Sequence, residues 1–194
     1  MPQLPSSRLR RFAGRFAHAE RGATMVEFAL ISLPLLVMIF GLLELGLVFL
    51  VTTTLDNATQ SAARQIRTGE FQNTAIPTKA NFKALVCARM SWLQPQCATA
   101  LWLDVRTFAD FNSLAALPPP SAATFNPNAL CFSAGAPTDI VLVRGYFQWD
   151  LITPLLLPMF ENMGGGSGKR LISSTTAFRN EPFNDNPPVG AKCT

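Results

Sequence analysis

The sequence predicts an α+β protein: a long N-terminal helix that crosses a membrane, then continues into a small domain whose antiparallel sheet packs on it. Three observations carry this expectation. Residues 29–51, ALISLPLLVMIFGLLELGLVFLV, form an apolar run broken by a single carboxylate, Glu44. Apolar residues then recur at Leu55, Ala58, Ala62 and Ile66, the three- and four-residue spacing of a helix with one buried face. Three strand-like runs follow, separated by segments rich in Pro, Gly and Ser.

The apolar run sets the class. A hydrocarbon core of roughly 30 Å is crossed by about 20 apolar helical residues, and this segment is long enough. No Lys or Arg occurs from Ala23 to Val51. A core helix of a soluble domain is rarely this long or apolar on every face. A cleaved secretory signal has an apolar core of about 7–15 residues and a small-residue cleavage site, which VTTTLDNATQ does not supply. Charged residues are only 14% of the chain and the mean hydropathy is +0.23. That argues against disorder and against a freely soluble cytosolic enzyme. Arg8, Arg10, Arg11, Arg15 and Arg21 precede the span and only Arg64 and Arg67 closely follow it. The bias places the N-terminus in the cytoplasm and the bulk of the chain across the membrane. The expected organisation is a basic leader over 1–22, a transmembrane segment over 23–51 and an outer α+β domain over 52–194.

Beyond the span, one helix is expected to run from Ala23 to Thr68, with Gly69 as its stop. Pro34 removes a backbone donor and clashes with the carbonyl of Leu30, so a kink is expected there. A second helix is expected over Thr78–Leu93, capped by Thr78, with Phe82, Leu85, Val86 and Met90 on one face. The strands are Ala100–Phe108, Asp139–Trp149 and Lys169–Arg179. Ala115–Pro137 reads as a long loop. Pro154–Met163 reads as a short helix closed by the Gly164–Gly168 tract.

Cys87, Cys97, Cys131 and Cys193 all lie beyond the span. Four cysteines in an oxidising compartment suggest two disulfides, with three possible pairings. Cys87–Cys97 with Cys131–Cys193 is preferred, because the first closes a short loop and the second ties the tail to the domain. No C-x-x-C pair exists and His18 is the only histidine, so neither zinc nor another cofactor is expected.

The net charge of +4 invites a nucleic-acid reading until its location is examined. The leader holds five Arg and Glu20, a net +4, whereas residues 23–194 carry eleven basic and eleven acidic residues. The positive charge is an orientation signal, and no nucleic-acid partner is expected. No histidine outside the leader can serve as a catalytic base. Asp104, Asp110, Asp139 and Asp150 read as surface carboxylates at strand ends and turns. The Gly164–Gly168 tract fails as a phosphate loop, since Met163 stands where Gly is required and Arg170 where Ser or Thr would bind magnesium. An enzyme is not expected.

The octet Arg21-Gly22-Ala23-Thr24-Met25-Val26-Glu27-Phe28 ends the leader and opens the span. A basic leader ending in Gly, with Glu at the fifth position after it, resembles the type IV prepilin processing site. The resemblance implies cleavage between Gly22 and Ala23 by a prepilin peptidase, and an assembly role for Glu27 paired with the freed amine of a neighbouring subunit. A broader stretch is similar to the TadE family of the tight-adherence (Tad/Flp) pilus system: Gly22, Val26-Glu27-Phe28-Ala29, Pro34 and Glu44-Leu45-Gly46. Leu45 departs from the aromatic residue that the family more often has. Thr176–Pro182 is similar to the family's terminal Arg-x-Glu element. The resemblance implies a pilin-like plan, no catalysis, and as partners the lipid bilayer, the prepilin peptidase, other pilin-like subunits and the Tad inner-membrane platform. It also implies assembly roles for Phe28 and Glu44. Read from position alone, Glu44 lies about 10 Å inside the outer end of the span; an inter-subunit contact and a snorkelling or protonated carboxylate without special role both remain open. Glu27 and Glu44 are 17 positions apart and do not form one polar stripe. The alternative function is an unprocessed single-pass protein whose outer domain binds a partner or the envelope.

Overall fold

The computed structural model describes residues 20–74, 76–118 and 120–183. The chain divides into two units, Met1–Leu43 and Glu44–Thr194. Helix α1 is Glu20–Arg67 and runs unbroken through Pro34. In the first unit its side chains from Thr24 to Leu43 are almost all exposed, whichever way they point. A helix apolar and uncovered on every side has its backbone bonds satisfied internally and suits hydrocarbon as solvent.

In the second unit the same helix changes character. Glu44, Val51, Leu55, Ala58, Thr59, Ala62, Ala63 and Ile66 are buried, a stripe at helical spacing, with exposed positions between. This is the stripe read from the sequence, but it begins at Glu44 rather than after Val51. Gly69 takes a left-handed φ of 80° just beyond the helix, where glycine carries no Cβ penalty.

The sheet faces that stripe. Strands β1 (Leu101–Phe108), β2 (Ile140–Asp150) and β3 (Lys169–Arg179) are antiparallel in the order β1-β2-β3. The register puts Val105 opposite Val143 and Val143 opposite Thr176. All three predicted strands are present within a residue of their expected ends. Leu101, Leu103, Val105, Val141, Val143, Phe147 and Ile172 join the helix stripe in one core. Gly145 marks the closest approach, since a Cβ there would sit 2.8 Å from Thr59 Oγ1.

The other face of the sheet is buried too, which the alternating pattern of β1 did not foretell. The segment following β1 begins with helix α4, Phe111–Ala115, capped by Asp110, and then lies over this face. Arg144 donates to the carbonyls of Leu117 (3.0 Å) and Pro118 (3.3 Å). Phe125 packs between Trp102 and Tyr146, with ring centroids 5.7 and 5.1 Å away. Val105 exchanges backbone hydrogen bonds with Cys131 and Ser133, extending β1 on its free edge. Burial pushes the Tyr146 phenol above its ordinary range. Asp104 is therefore a correction: expected at the surface, it is buried mid-strand, accepting from Arg106 Nε at 3.0 Å and from the Cys131 amide at 2.8 Å.

Two helices also differ from expectation. The second one, α2, spans Lys79–Ala88, with Thr78 accepting from the Asn81 amide. It does not continue to Leu93. Ser91 takes a positive φ, and Pro95 in a continuous helix would clash with the Ser91 carbonyl. The chain turns through Ser91–Leu93 and restarts as α3, Gln94–Ala100, where Pro95 is harmless in the first turn. The Cys87–Cys97 disulfide joins α2 to α3, with Cα atoms 5.6 Å apart. Pro154–Met163 contains only a turn at Pro154–Leu156 and helix α5, Leu157–Phe160.

The Gly145 contact yields a prediction. Gly145→Ala should lower the unfolding free energy by about 1–3 kcal/mol through overpacking, and Thr59→Ala in the same chain should recover much of the loss. Thermal unfolding of detergent-solubilised protein measures both; an unchanged midpoint for the single variant would mean the helix–sheet contact is looser than described.

Candidate functional site

The residues singled out by the sequence fall into two groups along α1. In the first unit, Gly22 lies in the opening turns of the helix and is half-buried. Ala23 follows in the same turn; its side chain, like leader residues 1–19, is outside the described residues. Glu27 and Phe28 are exposed, Phe28 at 73%, among exposed Met25, Val26, Leu30 and Ile31. Among the described residues, no hydrogen bond or ion pair to the Glu27 carboxylate is present. A carboxylate at the middle of a span costs about 2.5–3.5 kcal/mol, so an exposed one on an apolar helix calls for a partner.

Glu44 is its opposite. It is 2% exposed, and Oε2 accepts three hydrogen bonds, each 3.0 Å long, from the Ile152 amide, the Thr153 amide and the Thr153 hydroxyl. The donors stand where the chain leaves β2 and turns into Pro154–Leu156. Leu151 is held in turn by its amide donating to the Gly168 carbonyl at 2.9 Å. Two successive amides and a hydroxyl converging on one oxygen offset part of the cost of burying the carboxylate, whose other oxygen, Oε1, is buried without a hydrogen-bond partner among the described residues. The carboxylate thus fastens α1 to a segment 109 positions later in the chain. Nothing in the sequence paired them. The only available hint was that a carboxylate among leucines must find donors somewhere.

The cysteines of the short loop are bonded as expected, Cys87 to Cys97. Cys131 is also a disulfide cysteine, and Cys193 lies outside the described residues. The remaining carboxylates have local tasks. Asp110 accepts from the Ser113 amide at 2.7 Å, which holds its carboxyl below the usual range. Asp139 accepts from the Ala136 amide at 2.8 Å, and Asp150 lies 3.7 Å from Lys169 Nζ. Gly164, Gly165, Gly166 and Gly168 all take positive φ, as befits a turn.

Removing the Glu44 clamp is a direct test of it. Glu44→Ala leaves the Ile152 and Thr153 donors unsatisfied and should destabilise the second unit by about 1–3 kcal/mol. Hydrogen exchange in detergent micelles should show lost protection at Ile152 and Thr153 with α2 and β2 unchanged. Unaltered protection at these two amides would refute the clamp.

No match to the chain was found among curated proteins or solved structures. The family comparison is positive: residues 22–64 match the family model described as TadE-like protein. The matched segment begins at Gly22, contains Glu27, Pro34 and Glu44, and ends one turn before α1 does. Over this segment the chain is similar to the family of TadE-like proteins.

Proposed function

We propose that this protein is a minor pilin-like component of a tight-adherence pilus machine. It is anchored in the inner membrane with its α+β domain on the periplasmic side, is matured by the prepilin peptidase and acts through subunit contacts. The observation that carries this reading is Glu27. It is an exposed carboxylate on an exposed apolar helix, at the fifth position after Gly22 within the TadE-like segment. Cleavage after Gly22 creates an α-amino group at Ala23, and the amine of one subunit meets the Glu27 carboxylate of the next. The pairing offsets the cost of the buried charge only once subunits stack, so it favours assembly over the dispersed state. Phe28 and its exposed apolar neighbours supply the packing surface around that pair. Because the Gly22–Ala23 bond lies in the first turns of α1, the peptidase has to unwind that turn; glycine, which gives up the least helical stability, lowers that cost. Glu44, engaged within its own chain, supports assembly by holding the outer domain on α1. The leader's positive charge leaves with the cleaved peptide.

N-terminal sequencing of the membrane-purified protein, from cells with and without the peptidase, tests the processing step. Ala23 is expected as the first residue only where the peptidase is present, and Met1 in both samples would sink the claim. Glu27→Val should leave membrane insertion intact and reduce recruitment to the pilus machine by at least tenfold, about 1.4 kcal/mol of lost pairing. Normal piliation by that variant would count against the assembly role.

A further inference from the structure

We propose that the segment Leu151–Phe160 is a second membrane contact, seated in the interfacial layer of the same bilayer that α1 spans. The proposal rests on the reading of α1 as a membrane span. The sequence placed the outer end of the span at Val51, seven residues beyond Glu44 and about 10 Å along the helix. Over those seven residues α1 has two different sides. Glu44 and Val51 are buried, with Leu47 and Val48 packed against the core, while Leu45 and Phe49 are exposed. The group covering Glu44 is the backbone of Ile152 and Thr153. Whatever depth Glu44 occupies, this segment occupies it too.

The segment's own side chains agree. Ile152, ahead of the turn, Leu155, within it, and Met159, in α5, are 63%, 68% and 77% exposed. Leu156 is buried and holds the segment to the domain. Water is the wrong solvent for three large aliphatic side chains exposed on a short segment that is hydrogen-bonded to Glu44, and the acyl–headgroup boundary is the right one. The backbone carbonyl of Phe160 accepts from Arg170 Nη1 at 2.7 Å, and the half-exposed Lys169 precedes Arg170. Lys169 is paired with the exposed Asp150 at 3.7 Å, which leaves Arg170 as the basic side chain at the edge of the segment, of the kind that extends toward headgroups. The attachment of this segment to Glu44, a residue inside the span read from the sequence, is what selects lipid as its occupant.

Site-directed spin labelling of the full chain, with its disulfides intact, tests the proposal in nanodiscs of phosphatidylethanolamine and phosphatidylglycerol. Labels are attached in turn at Met159→Cys, Phe40→Cys and Thr175→Cys, and collisions with oxygen are compared with those of a polar nickel chelate. At Met159 and Phe40 oxygen collisions are expected to exceed chelate collisions, and at Thr175 on the exposed side of β3 the order is expected to reverse. A Met159 label that behaves like Thr175 while Phe40 reads as lipid overturns the interfacial contact and leaves the span standing. A Phe40 label that reads as water overturns the span and this proposal with it. Shielding of Met159 from both reagents, with dipolar broadening between labels, would identify a second copy of the chain as the occupant and also overturn the proposal.

Discussion

One helix has to satisfy two solvents, and the rest of the structure follows from where it changes between them. Up to Leu43, α1 is exposed and apolar all round, a surface that only hydrocarbon accommodates at low cost. From Glu44 onward it carries a single buried stripe, and the sheet exists to cover that stripe. The small residues Ala58, Thr59, Ala62 and Ala63 let the helix come close, and Gly145 lets the sheet meet it. Larger residues at these points would hold the two elements apart and leave the core under-packed.

The second condition is electrostatic. α1 carries two carboxylates in its apolar stretch, and the structure treats them in opposite ways. Glu44 Oε2 takes three donors from one turn of its own chain, which offsets part of the desolvation before any partner arrives, while the buried Oε1 has no hydrogen-bond partner among the described residues. Glu27 has no such arrangement among the described residues and keeps its cost open. A satisfied charge belongs to the fold, whereas an unsatisfied one favours a state in which a partner is present. This difference separates the residue that builds the subunit from the residue that, in the proposed function, joins subunits.

The region most easily dismissed as filler turns out to be structural. The Pro-rich chain between α4 and β2 buries the second face of the sheet, accepting from both terminal nitrogens of Arg144 through carbonyls and filling the space between Trp102 and Tyr146 with Phe125. Prolines suit this task because a chain already restricted in φ loses less entropy on being laid against a surface. The result is a β2 strand buried on both faces, whose sequence IVLVRGYFQW shows little alternation.

Local signals alone determined much of this protein. The apolar run, the continued helical spacing to Ile66, the Thr78 cap, the three strands and the short disulfide loop all depend on residues near one another, where periodicity and turn chemistry act directly. The break of α2 at Pro95 was legible in principle, since proline tolerates only the first turn of a helix. What the tertiary structure decided is where groups distant in sequence meet: Asp104 against the Cys131 amide, Arg144 beneath the proline loop, and Glu44 against Thr153. Each is a charge whose burial is tolerable only because donors or acceptors arrive from another part of the chain. Sequence spacing carries no record of that arrival, so the polar residues of an apolar segment announce that a partner is needed without saying which one.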